Sequence, residues 1–160
     1  MTTHNFERLK EHILPLSQAA TFEVARAEWV LESVEVSEEF DHCPCGQEIK
    51  EHCYLRNKVT GRRTYVGNVC VNRFIGIDTG TLFDGLKRIR DNTRANANLA
   101  VISYAEERGY LFDKEPAFLR STVKKRDLSE SQLAWKEKIN RRILNQTVVR
   151  RRTIRDNEAG

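Results

Sequence analysis

Residues 40–74, FDHCPCGQEIKEHCYLRNKVTGRRTYVGNVCVNRF, contain all four cysteines of the 160-residue chain, namely Cys43, Cys45, Cys53 and Cys70. The N-terminal residues lack the apolar run of a secretory signal, and we expect a cytoplasmic protein whose thiols stay reduced. Clustered cysteines in such a protein are more often metal ligands than disulfides. Four thiolates match the closed tetrahedral coordination of structural zinc. The segment therefore predicts one structural Zn²⁺ with these four cysteines as ligands.

The alternation of side chains around Cys53 predicts a β-strand. Cys53 would share one strand face with Ile49, and His52 would lie on the opposite face, because strand side chains alternate. Cys53 and His52 therefore cannot both bind one metal ion. His42 or His52 in place of Cys53 is one alternative ligand set. Four buried free thiols and a transient disulfide are the alternatives to a metal site.

The residues after Cys53 predict a hairpin and a helix. NKVTG at 57–61 is typical of a hairpin loop, and RRTYV at 62–66 is typical of the returning strand. VCVNRF then predicts a short helix with Cys70 in its first turn, where the helix dipole favours a thiolate. The thiols would thus come from a knuckle, a strand and the start of a helix.

Helical periodicity prevails on both sides of the cysteine segment. Apolar residues recur at intervals of three and four, and a short alternating strand at 31–36 precedes the cysteines. Gly109 predicts the end of one helix, and Ser129 with Gln132 forms a capping box that begins another. The helical stretches are 6–14, 21–30, 81–92, 94–108, 116–126 and 129–146. The predicted fold is α+β, mostly helical with a small zinc-bound β-hairpin in the middle.

We predict four segments along the chain. N-terminal helices and a short strand occupy 1–39, and the zinc-binding knuckle, hairpin and short helix occupy 40–76. A C-terminal helical part, packed on the zinc segment, occupies 77–147, and a basic tail occupies 148–160.

Charge is distributed unevenly, although the formal net charge is only +4. Residues 1–42 have nine Asp/Glu against three Lys/Arg, whereas residues 120–160 have 12 Lys/Arg against five Asp/Glu. Such asymmetry suggests a polyanionic partner, either DNA or RNA, and a solvated basic helix face is the alternative. The candidate nucleic-acid-binding residues are Arg56, Lys58, Arg62, Arg63, Lys124, Lys125, Arg126, Arg141, Arg142, Arg150, Arg151 and Arg152.

The cysteine segment resembles a family of small, uncharacterised bacterial and phage zinc-knuckle proteins. The shared pattern is CxCG, N-x-x-T-G and VG-x-x-C-x-x-x-F, formed here by Cys43, Cys45, Gly46, Ile49, Cys53, Asn57, Thr60, Gly61, Val66, Gly67, Cys70 and Phe74. The order knuckle, hairpin, helix is similar to treble-clef zinc fingers, although the knuckle is Cys-x-Cys and the helix has one cysteine. The resemblance implies a zinc-bound, treble-clef-like unit of phage or mobile-element origin, and no particular activity.

We expect a zinc-stabilised nucleic-acid-binding protein that acts as an accessory or regulatory factor and is not an enzyme. A catalytic zinc needs an open coordination position, which four thiolates do not leave. One alternative is a protein-binding adaptor or inhibitor of host machinery in which zinc only stabilises the fold. Another is an HNH-like nuclease, suggested by DHCP at 41–44 with Asn68. No membrane-spanning stretch is expected, since no apolar run approaches the required ~20 residues.

Overall fold

The computed structural model describes residues 3–150. Within them the chain forms seven α-helices and one antiparallel sheet of three strands, which confirms the predicted α+β class. The described chain divides into two compact units, residues 3–79, here called the cysteine unit, and residues 80–150, here called the helical unit. No helix in this part of the chain is long and apolar enough to cross a membrane.

The cysteine unit contains three helices and the whole sheet. Its elements are α1 (Thr3–Ile13), α2 (Phe22–Ala25), β1 (Trp29–His42), β2 (Glu48–Asn57), β3 (Arg63–Val66) and α3 (Asn68–Ile75), with single 3₁₀ turns at Leu14–Leu16 and Arg26–Glu28. The strand order is β1-β2-β3, and all pairing is antiparallel. The predicted hairpin is therefore β2–β3, and the predicted short helix is α3.

The start of β1 differs from the sequence prediction of a helix through 21–30 followed by a short strand. Helix α2 has only four residues, and β1 begins at Trp29 and is 14 residues long. Trp29 pairs with Asn57 of β2, and its indole Nε1 donates to Ser17 Oγ at 2.9 Å. Pairing along the whole of β2 overrides the local helical pattern, because tertiary contacts routinely outweigh intrinsic propensity.

Aromatic rings fill the centre of the cysteine unit. Phe22 and Phe74 are buried with their ring centroids 5.3 Å apart, and Trp29 lies 6.1 Å from Phe74. These contacts join α2, the start of β1 and α3. The cysteine residues Cys43, Cys45, Cys53 and Cys70 are buried in the same unit.

The helical unit consists of α4 (Gly80–Asp91), α5 (Leu99–Arg108), α6 (Glu115–Ser121) and α7 (Glu130–Leu144). The capping box predicted at Ser129 and Gln132 is present at the start of α7. Gly109 ends α5 at a φ of 81°, in the left-handed region that favours glycine. Helix α5 begins later than predicted, because Asn98 caps it by accepting from the Val101 N–H at 2.9 Å.

Aliphatic side chains form the core of the helical unit. Helix α4 packs against α5 and α7, and α5 packs against α6. The fully buried side chains include Ile89, Ile102, Leu119, Ile139 and Ile143. The described part of the predicted basic tail, 148–150, follows α7, and the rest of that tail lies outside the described residues.

Candidate metal centre

Three of the four cysteines converge in the structure. The Sγ atoms of Cys43, Cys45 and Cys70 all lie within 4.8 Å of one another, and each side chain is at most 3% exposed. None of these residues forms a disulfide. Three soft donors without a carboxylate among them suit a thiophilic divalent ion such as Zn²⁺. The chemistry of this donor set therefore fits a metal ion, as the sequence predicted for these three residues.

A tight turn brings Cys43 and Cys45 together. The Gly46 N–H donates to the Cys43 carbonyl at 2.8 Å, and the Cys43 N–H donates to the Gln47 carbonyl at 2.9 Å. Gly46 has a φ of +99°, which an L-residue rarely adopts, and a Cβ there would collide with the guanidinium of Arg8. The CxCG pattern therefore needs its glycine for backbone conformation, because the Arg8 guanidinium ends a flexible side chain and can move aside.

Cys70 joins the turn from the first turn of α3. Gly67 is the N-cap of this helix, and its N–H donates to the Cys43 Sγ at 3.4 Å. A Cβ at Gly67 would lie 2.8 Å from Ile49 Cγ2, so only glycine permits this approach to β2. The free N–H groups at a helix start also favour a thiolate at Cys70 when a metal ion is bound.

The three thiols share hydrogen bonds that favour a thiolate at Cys43. A hydrogen bond from the Cys70 thiol, followed by backbone N–H groups of Cys45 and Gly67, lowers the pKa of Cys43 to about 6 against the opposing effect of burial. The pKa of Cys70 is raised, because its proton is held by Cys43. Burial raises the pKa of Cys45. A divalent cation is thus the natural means of deprotonating all three thiols together.

Cys53, the fourth predicted ligand, does not belong to this group. It lies in the middle of β2, paired with Val34 of β1 and Val66 of β3, and its side chain is fully buried. Burial raises the pKa of the Cys53 thiol to about 12, with a smaller opposing effect from Thr79. The structure thus places Cys53 within the sheet, outside the group of three thiols that lie within 4.8 Å of one another.

The two histidines considered as replacement ligands also lie outside the group. His52 is buried, its Nε2 lies 3.2 Å from Asp41 Oδ2, and its ring packs against Tyr54 and Tyr65. Because strand side chains alternate, His52 is on the sheet face opposite Cys53, as predicted. His42 is exposed and precedes Cys43 at the end of β1.

A cavity of about 560 Å³, here called the knuckle cavity, lies beside the turn that contains Cys43. His12 Nε2 lies 2.7 Å from Thr64 Oγ1 across it, and the Tyr65 hydroxyl donates to the His42 carbonyl at 2.9 Å. Burial lowers the pKa of His12. The lining residues are Arg8 and His12 of α1, His42 and the turn residues Cys43, Pro44 and Gly46, and Thr64 and Tyr65 of β3. Arg8 and His12 were not predicted as site residues, because the periodicity of an amphipathic helix does not reveal which part of the protein its polar face contacts.

The candidate nucleic-acid residues of the cysteine unit fall into two groups. Arg56 and Arg63 are cross-strand neighbours, and both bind the carboxylate of Glu32, at 3.3 and 2.8 Å. Lys58 and Arg62 are exposed in the β2–β3 loop, and neither has a carboxylate partner within the described chain. Only the second pair is thus free to bind phosphate without breaking an internal ion pair.

The candidates of the helical unit divide in the same way. Three of them are paired: Arg142 with the buried Glu115, at 2.5 and 3.2 Å, Arg141 with Glu137 at 3.5 Å, and Arg150 with Asp113 at 3.0 Å. Lys124, Lys125 and Arg126 follow α6, are exposed, and have no ion pair within residues 3–150. Arg151 and Arg152 lie outside the described residues.

Comparison with protein-family models, curated proteins and solved structures finds no match to this chain.

Proposed function

We propose that this chain is a zinc-stabilised nucleic-acid-binding protein, an accessory or regulatory factor without catalytic activity of its own. The observation that carries the metal half of this proposal is the convergence of three buried thiols, Cys43, Cys45 and Cys70, within 4.8 Å. Buried free thiols and a disulfide are the alternatives, whereas a bound Zn²⁺ satisfies all three donors. When bound, the ion cross-links the Cys43–Gln47 turn to the start of α3.

The nucleic-acid half is supported by five exposed cations that no carboxylate of the described chain neutralises. They are Lys58, Arg62, Lys124, Lys125 and Arg126. Exposed cations of this kind bind the phosphate backbone, which supplies affinity but little sequence information. Tyr54 and Tyr65 pack against the His52 ring and bind protein oxygens, which leaves base stacking a minor contribution. We therefore expect binding with weak sequence preference.

The order of elements supports a treble-clef-like interpretation of the metal centre. The knuckle is followed by the β2–β3 hairpin and then by α3, which has Cys70 in its first turn. The N-x-x-T-G motif also has a physical role: Asn57 Oδ1 accepts from the N–H groups of Val59 and Thr60, at 2.8 and 2.9 Å, and shapes the hairpin loop. We propose membership of the small bacterial and phage zinc-knuckle family on these grounds.

Fluorescence anisotropy of zinc-loaded protein with single- and double-stranded DNA and RNA oligomers tests the nucleic-acid half. We expect affinity to fall with salt, with a slope of about −0.9 for each duplex phosphate neutralised. The K58A/R62A and K124A/K125A/R126A variants should bind more weakly and with a shallower slope. R88A/K114A is the matched control, because both residues are exposed and removing them changes the net charge by the same two units as K58A/R62A.

Two results would remove nucleic-acid binding from the proposal. One is the absence of binding to every oligomer at low salt, and the other is equal weakening by the control and test variants. Either would favour a protein-binding adaptor, for which the structure offers exposed apolar side chains in the cysteine unit, Val24, Phe40 and Val59, each more than half exposed. A pull-down with the zinc-loaded chain, compared with a V24S/V59S variant, would then be the test.

A further inference from the structure

The knuckle cavity gathers polar side chains from three parts of the cysteine unit. Helix α1 contributes Arg8 and His12, and strand β3 contributes the hydroxyl groups of Thr64 and Tyr65. The end of β1 and the turn after it form the third part, which includes the His42 imidazole. Convergent polar groups orient a bound small molecule, and the cavity volume of about 560 Å³ lies within the range of such sites, roughly 300–1,000 Å³.

Arg8 gives this cavity its permanent positive charge, because a guanidinium stays protonated. The guanidinium lies against Gly46 and has no hydrogen-bond or ion-pair partner within residues 3–150. The eight lining residues include no carboxylate. Arg8 is therefore free to donate its N–H groups to an anion, and its planar fork matches the geometry of a phosphate group.

Neutral polar groups accompany the guanidinium on the cavity wall. His12 Nε2 and Thr64 Oγ1 lie 2.7 Å apart, and burial lowers the pKa of His12, so this imidazole adds no permanent charge. The His42 ring has no hydrogen-bond partner in the described chain. One cation with several neutral donors suits a ligand that has one anionic group and several acceptor oxygens. A phosphate monoester is such a group, with three acceptor oxygens and a charge of about −1.5 to −2 at pH 7.

Two sources of negative charge lie near the cavity, but neither presents a free carboxylate or an exposed thiolate to it. The Asp41 carboxylate accepts from the His42 N–H at 2.7 Å and lies 3.2 Å from His52 Nε2. Of the three converging thiol residues only Cys43 lines the cavity, and each of the three is at most 3% exposed. The wall that a phosphate would contact is thus cationic at Arg8 and otherwise neutral.

We propose that the knuckle cavity binds a phosphate monoester, from a free nucleotide or from the phosphorylated end of a nucleic-acid strand, with Arg8 as its main contact. Thr64 of the cavity lies two residues after Arg62 of the exposed hairpin loop, about 7 Å along a strand. A strand whose phosphates contact this loop therefore has its end within reach of the cavity. The free-nucleotide form is independent of the proposed function, whereas the strand-end form deepens its nucleic-acid half.

Chemical-shift titration of the ¹⁵N-labelled, zinc-loaded chain tests the site. The probe is a nucleoside 5′-monophosphate, and the unphosphorylated nucleoside is its control. We expect saturating shifts of the Gly46 and Tyr65 amides with the monophosphate only. Arg8→Ala should weaken binding about tenfold or more, because it removes a charged hydrogen-bond donor. Arg62→Ala removes the same charge from an exposed residue that does not line the cavity, and should leave the titration unchanged.

Oligomers of one sequence identify the source of the phosphate. They have a 5′-phosphate, a 3′-phosphate or neither, and their affinities are measured by anisotropy with the parent chain and with Arg8→Ala. A gain in affinity from a terminal phosphate that Arg8→Ala removes identifies a strand end as the ligand. Equal affinities of the three oligomers, together with saturable binding of the mononucleotide, identify the free nucleotide.

Three results would overturn the inference. They are the absence of shifts at Gly46 and Tyr65 with every phosphorylated probe, shifts confined to the exposed cations at 124–126, and equal weakening by Arg8→Ala and Arg62→Ala. Failure of the unphosphorylated oligomers to bind would instead contradict the nucleic-acid half of the proposed function, and would leave a saturable mononucleotide site standing.

Discussion

The two units of this chain stabilise buried polar groups in different ways. The cysteine unit gathers three buried thiols, Cys43, Cys45 and Cys70, whose donor atoms lie within 4.8 Å of one another. The helical unit encloses the buried carboxylate of Glu115 and satisfies it internally, with Arg142 in a bidentate pair and the Trp135 indole donating at 3.0 Å. The first arrangement can hold a metal ion from solution, whereas the second joins a cation and a carboxylate of the same chain. Stability should therefore depend on metal in the cysteine unit alone.

The largest expected effect is the selective unfolding of the cysteine unit when Cys70 is replaced. Cys70→Ala removes one donor and should abolish metal binding, whose free energy in small structural zinc sites is about 10 kcal/mol or more. We expect hydrogen exchange to show loss of amide protection in β2 and α3, while α5 and α7 stay protected. Cys53→Ala is the control and should keep its metal and its protection. Equal amide protection of β2 in Cys70→Ala and in the parent chain would contradict the claim that the cysteine unit depends on metal for its stability.

The next largest effect is expected in the helical unit, from loss of the ion pair between Arg142 and Glu115. Arg142→Met leaves the Glu115 carboxylate buried without its cation and should cost about 3–5 kcal/mol in urea unfolding. Arg141→Met is the matched control, one position away on α7, and its partner Glu137 lies in a mostly exposed pair at 3.5 Å. The control should change stability by at most about 1 kcal/mol. Similar losses of unfolding free energy in the two variants would mean that the buried pair of Arg142 and Glu115 contributes no more than the exposed pair of Arg141 and Glu137.

Lys136 sharpens the comparison, because it is a polar group that the helical unit does not satisfy. Its Nζ is buried without a hydrogen-bond partner within the described chain, and burial lowers its pKa to about 8. The unfolded chain, with a lysine pKa near 10.5, binds more protons between pH 8 and 10.5, so the contribution of Lys136 to stability rises with pH in this window. Lys136→Met should therefore stabilise the protein at pH 7 by up to about 3 kcal/mol.

The measurement for Lys136 is urea unfolding of both proteins from pH 7 to 11. The difference between them should be largest at pH 7 and shrink toward pH 10.5, as the parent lysine loses its charge in both states. The contact of Nζ with the Phe118 ring, 5.2 Å from its centroid, reduces the gain somewhat. A difference that does not vary with pH would show that the charge of Lys136 is not what costs stability.

The smallest expected effect lies in the hairpin of the cysteine unit. Asn57 is fully buried, accepts from Val59 and Thr60, and donates through Nδ2 to Glu28 Oε1 at 2.9 Å. Asn57→Ala removes these bonds and should cost about 2 kcal/mol in the metal-loaded protein. Thermal unfolding with and without metal measures it. An unfolding temperature of the metal-loaded Asn57→Ala protein equal to that of the parent chain would contradict this assignment.

Local signals in the sequence predicted the features that depend on neighbours in the chain. Ser129 with Gln132, Gly109, and Cys70 in the first turn of α3 were predicted from spacing alone and are present. Such signals act through backbone hydrogen bonds within one turn. The same is true of the Cys43–Gly46 knuckle, whose glycine is required by a left-handed φ.

Long-range contacts explain what the sequence could not reveal. Cys53 was predicted as a fourth ligand because four thiolates complete a tetrahedral zinc site, and the structure shows it paired on both sides in β2, outside the group of three converging thiols. Arg142 was considered a phosphate contact, but its partner Glu115 lies 27 residues away on another helix. Arg8 and His12 reach the knuckle cavity only through the packing of α1. Hydrophobic periodicity predicts helices and strands, but it does not predict which residues far apart in the sequence come into contact.

Metal content measured directly on the purified chain tests the central claim, that three cysteines hold one ion that the cysteine unit requires. The account predicts about one zinc per chain in the parent protein and in Cys53→Ala, and none in Cys70→Ala. Elemental mass spectrometry of each protein after gel filtration measures this zinc content. A fully folded parent chain without metal would contradict the account. Loss of zinc from Cys53→Ala as complete as from Cys70→Ala would contradict the three-thiol centre and restore the four-cysteine site.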